Sequence, residues 1–124
     1  MKPEELRQAV RSLLHDHPSI SVSEFGHAEH AERYITVNGQ PIGFEPARVR
    51  FQNLWVRADS VRLWNLKDID HEDYDHTTFD ISKPNHNLFG EPAFKDVDLI
   101  RFKITNLWQA VRVVVEIAET GVEK

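Results

Sequence analysis

The chain has 124 residues, the length of one ordinary domain, and a formal net charge of −5. It contains no cysteine, which excludes disulfides, thiolate metal ligands and a thiol nucleophile. Neither a signal peptide nor an apolar run of the roughly 18 residues needed to span a bilayer is evident. We therefore expect one soluble domain over residues 1–124, located in the cytoplasm and without membrane association, and its acidity disfavours nucleic acid as a general partner.

The N-terminal segment predicts a helix from about Pro3 to Asp16. Proline is well tolerated in the first helical turn, and Pro18 prevents the helix from continuing. Apolar residues recur through the segment at helical spacing: Leu6, Val10, Leu13 and Leu14.

A β-hairpin is predicted around Asn38-Gly39, a dipeptide typical of two-residue type I′ turns. Strand-favouring residues precede it, from Tyr34 to Val37. Pro41 follows and has no N–H to donate, which indicates an edge strand. Because unpaired edges need cover or a partner, we also expect a homodimer.

Four later segments have the alternating pattern or the residue types of short strands. They are residues 48–51, 61–64, 77–82 (TTFDIS) and 99–105 (LIRFKIT).

The C-terminal segment contains four valines that favour a strand, but its polar residues indicate a helix from Leu107 to Thr120. Asn106 can cap the start of this helix, and Gly121 can end it in the left-handed conformation. The polar residues form one helical stripe: Gln109, Arg112, Glu116 and Glu119. The resulting fold class is α+β, with an N-terminal helix, a mostly antiparallel sheet of about five strands, and a C-terminal helix packed on the same sheet face.

The segment DIDHEDYDH, residues 68–76, raises the question of a metal site. Its histidines are five residues apart rather than the four of a zinc helix, and it lacks the glycine and final glutamate of an EF-hand loop. We therefore favour a solvated acidic connection and expect no cofactor. The candidate ligands of the alternative are Asp70, His71, Asp75 and His76.

Other histidines have weaker spacing signals. His15 ends the first helix, where a capping role is expected, and His27 and His30 could share one helical face.

The segment KPNHNLFGEP, residues 83–92, predicts a long loop. Two apolar residues within it could either anchor the loop to the core or contact a partner. His86 is the one candidate for a catalytic acid, base or ligand there. The candidate partner-binding residues are Asn85, His86, Asn87, Leu88 and Phe89.

An arginine- and tryptophan-containing stretch over residues 48–64 could instead bind phosphates and stack on bases. The candidates are Arg48, Arg50, Arg57 and Arg62. The alternative is the polar side of a two-faced sheet, which the acidic balance of the chain favours.

The sequence thus predicts a small non-enzymatic binding or interaction domain with an unidentified protein partner, of accessory, immunity or inhibitor-like type. One alternative is a metal-dependent hydrolase or nuclease that uses residues 68–76 with His86. Another is a single-stranded nucleic-acid binder that uses residues 48–64.

Overall fold

A computed structural model describes residues 2–47 and 50–122, with side chains through residue 119. The helices are α1 (Pro3–Asp16), α2 (Phe79–Ser82) and α3 (Leu107–Val122). The strands are β1 (Ile20–Val22), β2 (Glu32–Thr36), β3 (Pro41–Glu45), β4 (Gln52–Arg57), β5 (His71–Tyr74) and β6 (Leu99–Ile104). Single 3-10 turns cover Ala58–Ser60, Leu63–Asn65, His76–Thr78, His86–Gly90 and Pro92–Phe94.

The described strands form one six-stranded sheet in the order β1-β2-β3-β4-β6-β5, and every neighbouring pair is antiparallel. Both long helices pack on one face, where the buried side of α1 and that of α3 share a core with Phe44, Leu54 and Phe102. The α+β prediction is confirmed, with six strands instead of about five.

The opposite sheet face is covered by the irregular segment between β5 and β6. Leu88 and Phe94 from this segment pack with Trp55 and Leu99 of the sheet in a second cluster of buried residues. Gly43 of β3 allows this close approach, because a Cβ atom there would collide with the Leu88 side chain. The central strands β3 and β4 are therefore buried on both faces of the sheet.

The two long helices agree with their sequence signals. Leu6, Val10 and Leu14 of α1 are buried, as the spacing predicts. The Asn106 side chain accepts a hydrogen bond from the Gln109 backbone N–H at 3.0 Å and so caps α3. The expected stop at Gly121 is wrong, since α3 continues through it to Val122.

The hairpin turn differs from the type I′ prediction. Among the described residues, positive φ in this turn occurs at Gly39 alone, whereas a type I′ turn needs it at both central positions. Thr36 and Gln40 instead close a three-residue loop, with the Gly39 N–H donated to the Thr36 carbonyl.

Pro41 does not mark an edge, because β3 lies between β2 and β4. It is the first residue of β3 and is paired only with Ile35 of β2, while pairing with β4 begins at Ile42. The missing N–H is tolerated at that strand end, and the edge argument for a homodimer fails.

Two predicted strands are wrong. Residues 63–65 form a 3-10 turn, and residues 76–82 form a 3-10 turn followed by α2. Asp75 starts the 3-10 turn of residues 76–78 by accepting the Thr77 N–H at 2.9 Å. Neither segment can pair with β4, because β3 and β6 already lie on its two sides. Of the strand predicted over 48–51, residues 48–49 lie outside the described residues, and β4 begins at Gln52.

Within the described ranges, no helix combines the length and apolar character needed to cross a membrane.

Candidate functional site

The polar stripe of α3 contains one buried carboxylate that joins the helix to a distant segment. Glu116 is only 5% exposed. Its carboxylate accepts the Arg62 Nε–H at 2.6 Å, the Arg62 backbone N–H at 3.1 Å and an Asn65 side-chain N–H at 3.0 Å. A buried carboxylate needs such partners, so folding turns Glu116 inward rather than toward water.

A second set of contacts holds the same segment at the next helical turn. Arg112 donates to both oxygens of Asp68, at 2.7 and 2.8 Å, and to the Asn65 carbonyl at 2.9 Å. These hydrogen bonds to Arg112 lower the pKa of Asp68 to about 2. Arg62 also reaches Glu119 at 3.1 Å. Residues 62–68 therefore lie against the polar side of α3.

The outward side of α3 is consequently apolar at several positions. Trp108 is 68% exposed and Val115 is 44% exposed, and with half-buried Val111 they stand at i, i+3 and i+7, one stripe of a helix. Trp64, 69% exposed, lies in the 3-10 turn next to Asn65. We call Trp108, Val111 and Val115 the α3 face, and Trp64 is the chain neighbour of Asn65 on the segment opposite it.

A groove of about 270 Å³ runs along this face. Asn65 and Leu66 form one wall, and α3 forms the other through Trp108, Val111, Arg112, Val115 and Glu116. The volume lies just below the roughly 300–1,000 Å³ of small-molecule sites. Its size suits an aromatic or aliphatic side chain better than a cofactor.

The candidate ligands of the hydrolase alternative are placed in different surroundings. His71 lies in β5, where its ring packs near Phe102 in the core beneath the helices and its Nδ1 lies 2.8 Å from the Ile69 carbonyl oxygen. Asp70 and His86 are exposed. Contrary to the expected bare connection, residues 71–74 form an edge strand.

Asp75 and His76 do meet a third residue, Asp98. His76 Nδ1 lies 2.6 Å from Asp98 Oδ1, and the His76 backbone N–H donates to the same oxygen at 2.9 Å. The hydrogen bond to Asp98 raises the pKa of His76. All three side chains are exposed, whereas an acid–base pair in a catalytic site works where water is partly excluded.

Folding also assembles His15, His27 and Glu32, whose possible ligand atoms lie within 4.8 Å of one another. The chemistry does not fit a metal. His27 Nδ1 accepts the Arg33 backbone N–H at 2.8 Å, so the neutral ring carries its proton on Nε2 and has no second lone pair to offer.

The carboxylate of this cluster is also occupied. The Glu32 carboxylate accepts hydrogen bonds from Arg11 Nε at 3.0 Å, from Arg11 Nη2 at 2.7 Å and from the Tyr34 hydroxyl at 3.0 Å. Burial raises the pKa of Glu32, but the hydrogen bonds and charge of Arg11 outweigh it and the net pKa is lowered. The cluster joins α1 to β2.

The loop over residues 83–92 is fixed by several polar contacts. Asn85 donates to Glu45 at 2.8 Å and to the His30 carbonyl at 3.0 Å, and its own oxygen accepts the Asn87 N–H. Phe89 packs against Phe79, with ring centroids 5.6 Å apart.

Leu88 of this loop is fully buried, so it anchors the loop to the core and offers no contact surface. Partner binding by the remaining candidates, Asn85, His86, Asn87 and Phe89, stays a prediction, as does a catalytic role for His86.

The described arginines of the nucleic-acid alternative lie in separate surroundings. Arg57 donates to both oxygens of Asp59, at 2.9 and 2.7 Å, and Arg62 belongs to the contacts with α3. Arg50 is exposed and lines a cavity of about 470 Å³ near Asp70. Arg48 lies outside the described residues.

Comparison with known proteins identifies no relative: no family model, curated protein or solved structure matches the chain. The functional inference therefore rests on the residues themselves. Sequence reasoning identified the polar stripe of α3 but did not consider the apolar positions beside it, and so it missed the α3 face. The spacing of Trp108, Val111 and Val115 was the available signal.

Proposed function

We propose that the chain is a small, soluble, cytoplasmic non-enzymatic binding domain, of accessory, immunity or inhibitor-like type, that docks a protein partner on the α3 face. The observation that carries this proposal is the exposure of Trp108 at an apolar groove, with Trp64 exposed on the segment that forms the opposite wall. Tryptophan is enriched among the residues that dominate binding energy at protein interfaces.

The surroundings of the two tryptophans support the proposal. Charge-assisted hydrogen bonds from Arg62, Asn65 and Arg112 hold residues 62–68 on α3, so both walls of the groove are fixed before a partner arrives. Fixed side chains and backbone lose less entropy on binding, which favours affinity.

The α3 face contrasts with the sites of the alternative functions. A hydrolase would need Asp70, His71 and His86 near Asp75 and His76, and a single-strand binder would need its arginines along an aromatic surface. The arrangement described above favours neither.

Differential capture tests the proposal. The proteins retained by three immobilised forms of the chain are compared: wild type, the double variant Trp64→Ala/Trp108→Ala, and the control Phe25→Ala/Ile81→Ala. The control removes exposed apolar residues elsewhere. We expect a protein retained by wild type and control whose affinity for the purified double variant, measured by calorimetry, falls at least about tenfold. If no protein, including the chain itself, distinguishes the double variant from the control, the proposal is wrong.

A further inference from the structure

We infer that the partner on the α3 face is a second copy of this chain, bound through antiparallel packing of the two α3 helices about a two-fold axis near Val111. This inference rests on the proposed function and specifies its partner.

Shape supports a two-fold arrangement. A two-fold interface pairs one surface with itself, so projecting and receiving features must lie on the same face. The α3 face has both, since the exposed Trp108 indole stands at the groove of about 270 Å³ that Val115 also lines. With the axis beside Val111, Trp108 of each copy meets Val115 of the other.

Helix spacing supports the same arrangement. Positions i, i+3 and i+7 form the apolar seam along which two helices pack. Trp108, Val111 and Val115 occupy these positions, and Ala110, Val113, Val114 and Ile117 are buried in the core of the domain itself. The seam is thus a second apolar stripe of α3 that the described residues leave partly exposed.

Charge permits two identical faces to meet despite the net charge of −5. The charged residues that border the seam are already paired with opposite charges: Arg112 with Asp68, and Arg62 with Glu116 and Glu119. Like-charge repulsion between the copies is therefore small at this surface, and neutralised pairs at the rim are easily kept in water.

The sheet edges are poorer sites for self-association. The edge strands are β1, with three residues, and β5, with four. Glu72 and Asp73 are exposed on β5, so pairing two copies there would oppose like charges.

The area predicts a weak dimer. A tryptophan side chain carries roughly 150–250 Å², and Trp108 is already partly covered at 68% exposure, so the two Trp108 indoles and the neighbouring valines bury on the order of 500 Å², below the usual range of specific interfaces. We expect a dissociation constant in the micromolar range.

Sedimentation velocity from low micromolar to near millimolar concentration tests the inference. We expect a monomer–dimer equilibrium for wild type and for the control Ile81→Ala, whose side chain is 78% exposed on α2. Trp108→Ala and Val115→Asp should raise the dissociation constant at least about tenfold. Circular dichroism checks that the variants remain folded, as expected at exposed positions.

Cross-linking tests the orientation. The chain has no cysteine, so Val111→Cys places a single thiol close to the proposed axis, and oxidation should give a covalent dimer rapidly. Ile81→Cys should not react at that rate. A wild-type monomer throughout the concentration range, a dimer insensitive to Trp108→Ala, or equal cross-linking of both cysteine variants would overturn the inference. In the first case the differential capture experiment still decides whether the face binds a different protein.

Discussion

Glu116 of α3 accepts the Arg62 Nε–H at 2.6 Å across 54 residues of sequence. The carboxylate is buried and the guanidinium is partly exposed. This pair turns the polar side of α3 toward residues 62–68 and leaves Trp108 on the surface.

Removal of this carboxylate should destabilise the fold. Glu116→Ala leaves Arg62 and Asn65 without their shared acceptor, and we expect the free energy of unfolding to fall by about 3 kcal/mol, the low end for breaking a buried ion pair. Urea denaturation measures the change. Glu119→Ala is the control, because that carboxylate is mostly exposed and should cost about 0.5 kcal/mol or less. Equal decreases in the free energy of unfolding for Glu116→Ala and Glu119→Ala would contradict this prediction.

The inward side of α3 should tolerate no charge. Val114 is 1% exposed within the core beneath the helices, so Val114→Asp should cost on the order of 4 kcal/mol or abolish cooperative unfolding. Arg112→Ala should have a much smaller effect, since its partner Asp68 is exposed and water screens the pair. Thermal melts of both variants provide the comparison, and similar small effects would contradict the orientation of the helix.

Acid should weaken the fold through His27. Burial lowers the pKa of His27 in the folded state, so the unfolded chain binds the proton more tightly. The free energy of unfolding therefore falls as pH drops below about 6.5. His27→Asn keeps an acceptor for the Arg33 N–H and should flatten the pH dependence of the melting temperature from about pH 7 to pH 5.

His76 should act in the opposite direction. The hydrogen bond to Asp98 raises the pKa of His76 in the folded state. The stabilisation that His76 adds to the free energy of unfolding is therefore fully present below about pH 6.5 and is lost as pH rises through the folded-state pKa. His76→Gln should therefore lose stability mainly on the acid side. If both histidine variants change the profile in the same direction, the assigned contacts are wrong.

Divalent metals should leave stability unchanged. The His15, His27 and Glu32 cluster lacks a free ligand atom on His27, and Asp75, His76 and Asp98 lie exposed at the surface. We expect zinc, manganese, magnesium and calcium to produce little change in melting temperature, whereas a dedicated site would stabilise by mass action. Single alanine substitutions at Asp70, His71, Asp75 and His76 should each cost little. A large stabilisation by one metal that is lost in His76→Ala would revive the hydrolase alternative.

The sequence alone determined the two long helices and the α+β class. The spacing of apolar residues in 3–16 and 107–120 is a local property, and each helix uses it directly to form its buried side. Asn38-Gly39 likewise located the hairpin, although the number of loop residues depended on pairing between Thr36 and Gln40.

Only the tertiary structure decided which segments became strands and which side of α3 met water. Residues 61–64 and 77–82 have strand-like composition, but a strand forms only where a neighbouring strand can pair with it. Because β3 and β6 already pair with β4 on its two sides, neither segment can join the sheet there. The direction of the polar stripe on α3 depended on Arg62, Asn65 and Asp68, which lie about fifty residues away in the chain. A buried carboxylate is stable only beside donors that folding brings to it, and that requirement turned Glu116 inward and Trp108 outward.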